Sequence, residues 1–213
     1  MTVKTLYFGD MAANCYLVST DTAAIVIDPF AQYGAIADFF TLNPQKERYV
    51  LLTHCHFDHI LGADTLREQF GAKIVIGKLD EKGLCDTSFS LSHLVGMSQT
   101  PFYADKTVSN EEILSVAEEK IRVLHTPGHT EGSVCYIIED AIFTGDTLFA
   151  GSVGRCDFPT GDGSALMKSL EKLSHLDKNY KVYPGHGEET TIGHETLYNP
   201  FIVEVINEEV NYK

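Results

Sequence analysis

A buried strand that ends in a cluster of metal-ligand side chains constrains this sequence more than any other feature. The apolar run 50–52 leads straight into His54, His56, Asp58 and His59. A six-residue H-x-H-x-D-H pattern arises by chance in roughly one chain of this length per thousand. In extended backbone the alternating His54 and His56 face the same way, toward one metal ion. Asp58 and His59 follow as the chain turns into a helix, where they can point to a second ion.

Two cations need more ligands than this cluster holds, and three further residues are candidates. His129 and His186 each end a Pro-Gly-His sequence that follows a strand, and Asp146 follows the strand AIFTG. Pro followed by Gly suits the centre of a type II turn, in which the Gly takes a positive φ. The carboxylate of Asp146 has two oxygens and can bridge two cations. Such an imidazole-rich set suits Zn²⁺, Fe, Ni or Cu, and Zn²⁺ is the most common of these in hydrolysis.

Charge and cysteine content restrict the partners and the compartment. The formal net charge is −14, which disfavours nucleic acids and anionic membrane surfaces as partners. The five cysteines are scattered singly and form no C-x-x-C pair, which is typical of a reducing compartment. The N-terminus lacks a signal-peptide pattern, and every apolar run is too short to cross a bilayer. We therefore predict a cytoplasmic protein.

The hydrophobic pattern predicts a single α/β (α+β) domain over residues 1–213. Three short extended runs at the N-terminus indicate an antiparallel meander, and residues 33–42 repeat apolar side chains at helical spacing. One helix is expected after the cluster, with Leu61, Leu66 and Phe70 on it and Gly71 at its end. Residues 78–120 are less regular. Two strand-rich halves with helices between them favour two packed sheets with helices outside.

A later helix has a clear start signal. Asp162 is placed to cap it, and leucines follow at positions 166, 170, 173 and 176. The strand KVYPGH and a short terminal helix come after it.

Four segments resemble the metal motifs of the metallo-β-lactamase superfamily: THCHFDH, TPGHTEGS, TGDTLF and YPGHG. The segments at 145–162 and 185–200 are most similar to short bacterial members of its glyoxalase II-like branch. The resemblance implies a four-layer αββα sandwich of two mixed sheets with helices outside. It also implies two metal ions with Asp146 bridging them. Metal 1 would be held by His54, His56 and His129, and metal 2 by Asp58, His59 and His186.

The resemblance implies hydrolysis of a small-molecule thioester similar to a hydroxyacylglutathione. Two Zn²⁺ ions are expected, with Fe or Mn also able to occupy the sites, and Asp58 and Asp146 are the predicted catalytic carboxylates. Hydroxide held between two cations forms near neutral pH and would attack the thioester carbonyl. A thiol with a pKa of about 8.5 can leave as thiolate without a strong acid. Hydroxyacylglutathione hydrolases use a C-terminal helical domain to bind glutathione, so the carrier thiol stays open, as does the oligomeric state.

Two alternatives for the reaction remain at this point. Persulfide dioxygenases belong to the same branch and use one Fe(II), for which the matching positions are His54, His129 and Asp146. A lactonase or β-lactamase could use the same metal platform, because fold does not fix function.

Two local roles are also left open. Arg155 either pairs with Asp157 to fix its loop or binds a substrate carboxylate, and we take it as the substrate-binding candidate. Asp28 and Thr53 are candidates to receive the free N–H groups of the ligand histidines.

Overall fold

The computed structural model describes residues 1–7, 13–30 and 33–211. In these residues the first sheet has six strands in sequence order. The first three are antiparallel, as the meander predicted, and the remaining strands run parallel to the third. The strands are β1 (Thr2–Leu6), β2 (Cys15–Ser19), β3 (Ala23–Ile27), β4 (Glu47–Leu52), β5 (Lys73–Gly77) and β6 (Lys106–Val108).

The second sheet of the described chain also has six strands, in the order β14-β13-β10-β9-β8-β7. Its pairs are antiparallel except for β10 and β13, which are parallel. A short hairpin, β11 with β12, follows β10. The strands are β7 (Ile113–Val116), β8 (Glu119–His125), β9 (Val134–Ile138), β10 (Ala141–Gly145), β11 (Leu148–Phe149), β12 (Ser152–Val153), β13 (Lys181–Pro184) and β14 (Thr190–Thr191).

Helices cover the outer face of each sheet. On the first sheet lie α1 (Tyr33–Thr41) and α3 (Ala63–Phe70), with the short helices α2 (Phe57–Ile60) and α4 (Thr87–Ser90) near its edge. On the second lie α5 (Gly163–Ser174), α6 (Ile192–Tyr198) and α7 (Pro200–Asn211). A third apolar core fills the space between the sheets. The predicted αββα architecture of two mixed sheets is confirmed, and no described helix is long and apolar enough to cross a membrane.

The predicted start of α5 and the predicted end of α3 are confirmed, but the prediction of one continuous helix after the cluster is wrong. The Asp162 carboxylate accepts a hydrogen bond from Ala165 N at 3.0 Å and caps α5, and Gly71 ends α3 with φ +66°. The single helix expected after the cluster is instead two, α2 and α3, separated at Gly62. The amide of Gly62 donates to Pro29 O at 2.7 Å, and a Cβ there would lie only 2.7 Å from the same oxygen. This close backbone contact interrupts the helix and turns the chain.

Residues 78–120, which the sequence left undecided, form a connection between the sheets. They contain 3-10 turns at Glu81–Leu84 and Ser92–Val95, the helix α4, and the edge strands β6 and β7.

A candidate metal centre between the sheets

Strand direction brings the predicted ligands to one edge of the molecule. In the second sheet β8 and β10 are both antiparallel to β9, and β13 is parallel to β10, so these three strands end at the same edge. His129, Asp146 and His186 follow those three ends. The end of β4 meets this edge from the first sheet, where Val134 N donates to Thr53 O at 2.9 Å. The cluster after β4 therefore faces the other candidates.

Three imidazoles form the first group of donors. His54 Nε2 lies 3.1 Å from His56 Nδ1, and His129 Nε2 lies 2.8 Å from the same atom. All three side chains are buried. Three ring nitrogens from different parts of the chain thus converge on one point.

The second group is Asp58, His59 and His186. Asp58 Oδ2 lies 3.8 Å from His59 Nε2 and 3.3 Å from His186 Nε2. Asp146 lies between the two groups: its Oδ1 is 3.4 Å from His59 Nε2, and its Oδ2 is 3.4 Å from His129 Nε2 and 3.5 Å from His186 Nε2. The structure therefore brings all seven predicted ligand side chains together, with the Asp146 carboxylate close to histidines of both groups.

Hydrogen bonds to the outer ring nitrogens fix the tautomers of three histidines. His129 Nδ1 donates to Arg155 O at 2.6 Å, and His59 Nδ1 donates to Asp28 Oδ2 at 2.9 Å, since both oxygens can only accept. The Thr53 hydroxyl donates to Asp28 Oδ2 at 2.7 Å and can therefore accept from His54 Nδ1 at 3.1 Å. The Nε2 lone pair of each ring consequently points into the cluster, as a metal ligand requires. Asp28 and Thr53 make the contacts that the sequence suggested for them.

The donor set fits divalent cations. His59 Nε2 and Asp146 Oδ1 are buried, and neither has a hydrogen-bond partner among the described residues. Burying an unpaired polar atom is costly, and a cation between these two atoms would satisfy both. Imidazoles and carboxylates are the ligands that Zn²⁺ and iron prefer. The residues present therefore fit a metal-binding site, as the sequence predicts.

Burial and neighbouring charges prepare these groups for a cation. Burial lowers the pKa of His54 and lowers that of His56 to about 3, which keeps both rings neutral. Burial alone would raise the pKa of Asp146, but His59 and His129 hold it well below its usual range. Burial acts to lower the pKa of His59, yet Asp28 and Asp58 raise it. These carboxylates favour protonation of the ring, so a proton competes with a cation for the Nε2 lone pair of His59.

The turn before His186 depends on a glycine for its size. A Cβ on Gly185 would lie 2.0 Å from Asp146 Oδ1, so only glycine lets this turn pass the carboxylate. Gly128 has the expected positive φ, +139°, whereas Gly185 does not, so the prediction of two equivalent type II turns is wrong. Asn14 holds the second turn instead. Its backbone N–H donates to Gly185 O at 2.6 Å, and its side-chain Nδ2 donates to Pro184 O at 3.1 Å and to Gly187 O at 2.9 Å.

Asp80 is a structural element of the site that the sequence did not reveal. Its side chain is buried, and Oδ2 accepts hydrogen bonds from Cys55 N at 3.0 Å and Thr130 Oγ1 at 2.7 Å. Oδ1 accepts a third from Gly132 N at 2.9 Å. One carboxylate thus ties the 54–56 segment to the segment after His129. Like Asp28 and Asp146, Asp80 closely follows the end of a strand, β5. This position is the feature of the sequence that could have indicated its role.

A cavity of about 540 Å³ opens beside the donor groups. Arg155 lines it, and its exposed guanidinium pairs with Asp157 at 2.6 and 2.7 Å and lies 4.1 Å from the centre of the Phe158 ring. The pairing expected from the sequence is therefore present. The remaining wall is mostly apolar, and it combines with the donor atoms to form a pocket in which a small molecule can meet a bound cation.

Comparison with known proteins agrees with this geometry. The model of the metallo-β-lactamase superfamily matches residues 8–186, and the chain belongs to that superfamily. Hydroxyacylglutathione hydrolase GloC of Haemophilus influenzae is 34% identical over 195 residues, which is 89% of this chain and 92% of the relative.

Two solved structures are also similar along most of their length. The B3 metallo-β-lactamase BLEG-1 is 34% identical in sequence and superposes with a TM-score of 0.87. The match covers 94% of this chain and 99% of the BLEG-1 chain. TTHA1623, solved in a di-iron-bound form, is 32% identical and superposes with a TM-score of 0.83. The match covers 93% of this chain and 100% of the TTHA1623 chain.

Proposed function

We propose that this protein is a binuclear metal-dependent hydrolase of small-molecule thioesters, close to the glyoxalase II-like branch of its superfamily. The observation that carries the proposal is the pair of donor groups at one cavity, with the Asp146 carboxylate within 3.5 Å of histidines from both. Two Zn²⁺ ions are proposed, with iron or manganese as functional substitutes. The similarity to GloC supports the thioester, and the di-iron form of TTHA1623 supports two cations.

The two donor groups would hold cations, which when bound would lower the pKa of water to about 7 and supply hydroxide at neutral pH. Asp58 and Asp146 are the carboxylates among the described residues that line the cavity. We assign Asp146 to orient the nucleophile between the two donor groups, and Asp58 to accept the proton that the water loses. Hydroxide adds to the carbonyl carbon, and the C–S bond then breaks with its electron pair going to sulfur. Because the thiolate is a stable anion, the chain needs no acid to protonate it first.

Hydrolysis of β-lactams is the second candidate, and the similarity to BLEG-1 favours it. An amide nitrogen must be protonated as it leaves, and the cavity offers no described donor dedicated to that step beyond Asp58 and the bound water. A thioester makes no such demand, so we place it first.

The test combines metal analysis with a panel of substrates. We expect two metal ions per chain and oxygen-independent hydrolysis of S-lactoylglutathione or other thioesters, lost in His56→Ala and Asp146→Ala. His194→Ala is the matched control, because this exposed histidine packs against Tyr198 and is not among the residues that line the cavity. One iron per chain with oxygen uptake on a persulfide would select a dioxygenase instead. Turnover of β-lactams alone would select the second candidate.

We further propose that residues 1–213 form one domain that works in a reducing, cytoplasmic compartment. The five cysteines are all unpaired, which supports a reducing compartment. Thiol titration of the denatured, unreduced protein purified from the cytoplasm should give five reactive groups.

A further inference from the structure

Part of the cavity wall is apolar, in contrast to the polar donor groups, and is partly exposed to solvent. Leu91, Leu94 and Val95 line the cavity together with Phe57. Leu94 is 61% exposed and Val95 is 42% exposed, although both border a site of charged and polar groups. Exposed aliphatic side chains that line a pocket lose unfavourable contact with water when an apolar ligand covers them.

Hydrogen bonds hold this wall in place. Gln99 Nε2 donates to Gly83 O at 2.8 Å and Leu84 O at 3.0 Å, and its Oε1 accepts from Ser92 Oγ at 3.1 Å. Leu91 takes a left-handed φ of +64°, which is unfavourable for a branched side chain, and it persists in a buried position. The 3-10 turn at Ser92–Val95 is therefore fixed by its surroundings and presents Leu94 and Val95 to the cavity.

The cavity offers this apolar wall no unpaired cationic side chain. Among its described lining residues Arg155 is the one arginine or lysine, and Asp157 already engages its guanidinium. A phosphate or carboxylate placed against Leu91, Leu94, Val95 and Phe57 would find no partner among them, whereas a hydrocarbon would find four apolar side chains.

We propose that the substrates are thioesters whose acyl group is an uncharged, medium-length hydrocarbon chain, bound against Leu91, Leu94, Val95 and Phe57. The proposal rests on the proposed function and names its substrate class. The acyl chain is bonded to the carbonyl carbon and so lies inside the cavity when that carbon reaches the donor groups. The sulfur leaves as an anion and is therefore disfavoured against an apolar surface, which leaves the wall to the acyl chain.

The experiment measures kcat/KM for acetyl, butanoyl, hexanoyl and octanoyl thioesters of one neutral thiol, N-acetylcysteamine. Each buried methylene should raise kcat/KM by up to about fourfold until the wall is covered. Leu94→Asn and the double variant with Val95→Asn should flatten this rise. Leu42→Asn is the matched control, because Leu42 is 79% exposed and does not line the cavity. It should keep the rise, and metal content should be equal in all variants.

A second readout separates this proposal from the proposed function. Calorimetry with methyl ketones of increasing chain length measures binding to the wall without any hydrolysis. Affinity that rises with chain length and falls in Leu94→Asn, with no thioester turned over, would uphold the wall and reject the thioesterase. Equal kcat/KM for every acyl chain in the unmodified protein, or the same rise in Leu94→Asn, would overturn the wall while leaving thioester hydrolysis standing.

Discussion

Replacing Asp80 tests whether one buried carboxylate aligns the two ligand-bearing segments. Asp80→Ala removes the acceptor for Cys55 N, Thr130 Oγ1 and Gly132 N. Each buried donor left without a partner costs about 1–3 kcal/mol, while removal of a buried carboxylate recovers part of its desolvation. We therefore expect the free energy of unfolding to fall by about 3 kcal/mol. Asp80→Asn should cost less, because its carbonyl oxygen keeps two of the donors but its amide group opposes the third.

The assay is denaturant unfolding of the metal-free protein, followed by chelator competition for Zn²⁺. Loosening of both segments should weaken Zn²⁺ affinity by about 10- to 100-fold, the range found when groups that orient metal ligands are removed. Asp105→Ala is the matched control: its carboxylate, directly before β6, also accepts a backbone hydrogen bond, from Ile74 N of β5 at 2.8 Å rather than from a ligand segment. Unchanged affinity in Asp80→Ala, or an equal loss in Asp105→Ala, would refute the alignment role.

Three further outcomes follow from the site. Gly185→Ala should lower Zn²⁺ affinity at least about tenfold, since its Cβ would displace Asp146, whereas Gly34→Ala, where nothing lies within 4 Å, should not; calorimetry measures both. Affinity should rise with pH through the raised pKa of His59, because a protonated ring cannot bind a cation; a flat pH profile in chelator competition would contradict this. Arg155→Ala should raise KM for a thioester several-fold, because its side chain lines the cavity. Metal content should not change, because His129 bonds to the backbone oxygen of this residue, which the substitution keeps. Unchanged kinetics would remove Arg155 from substrate binding.

The sequence revealed those parts of the site whose chemistry is concentrated in short segments. His54, His56 and the two Pro-Gly-His sequences are conspicuous because ligand-type residues directly follow apolar strands. Asp80 escaped because its partners, two backbone amides and the Thr130 hydroxyl, lie 25 to 52 residues away, which no local pattern records. The interrupted helix at Gly62 escaped for the same reason, since the cause is a contact with Pro29.

The irregular segment 78–120 shows a different limit. Its 3-10 turns and short strands have too few residues for a hydrophobic period to emerge. The exposed Leu94 and Val95 become meaningful only beside the donor groups that the fold places next to them.

The ligand side chains come from both sheets, and this has a consequence for the mechanics of the molecule. A cation held by His54 from one half and His129 from the other is a removable crosslink between two layers, in a chain whose five thiols stay apart. A bound cation of this kind adds RT ln(1 + [M]/Kd) to the free energy of unfolding, where [M] is the concentration of free metal. This is about 4 kcal/mol when [M] is a thousand times Kd. The melting temperature of a purified sample should therefore rise with its metal content, independently of any substrate.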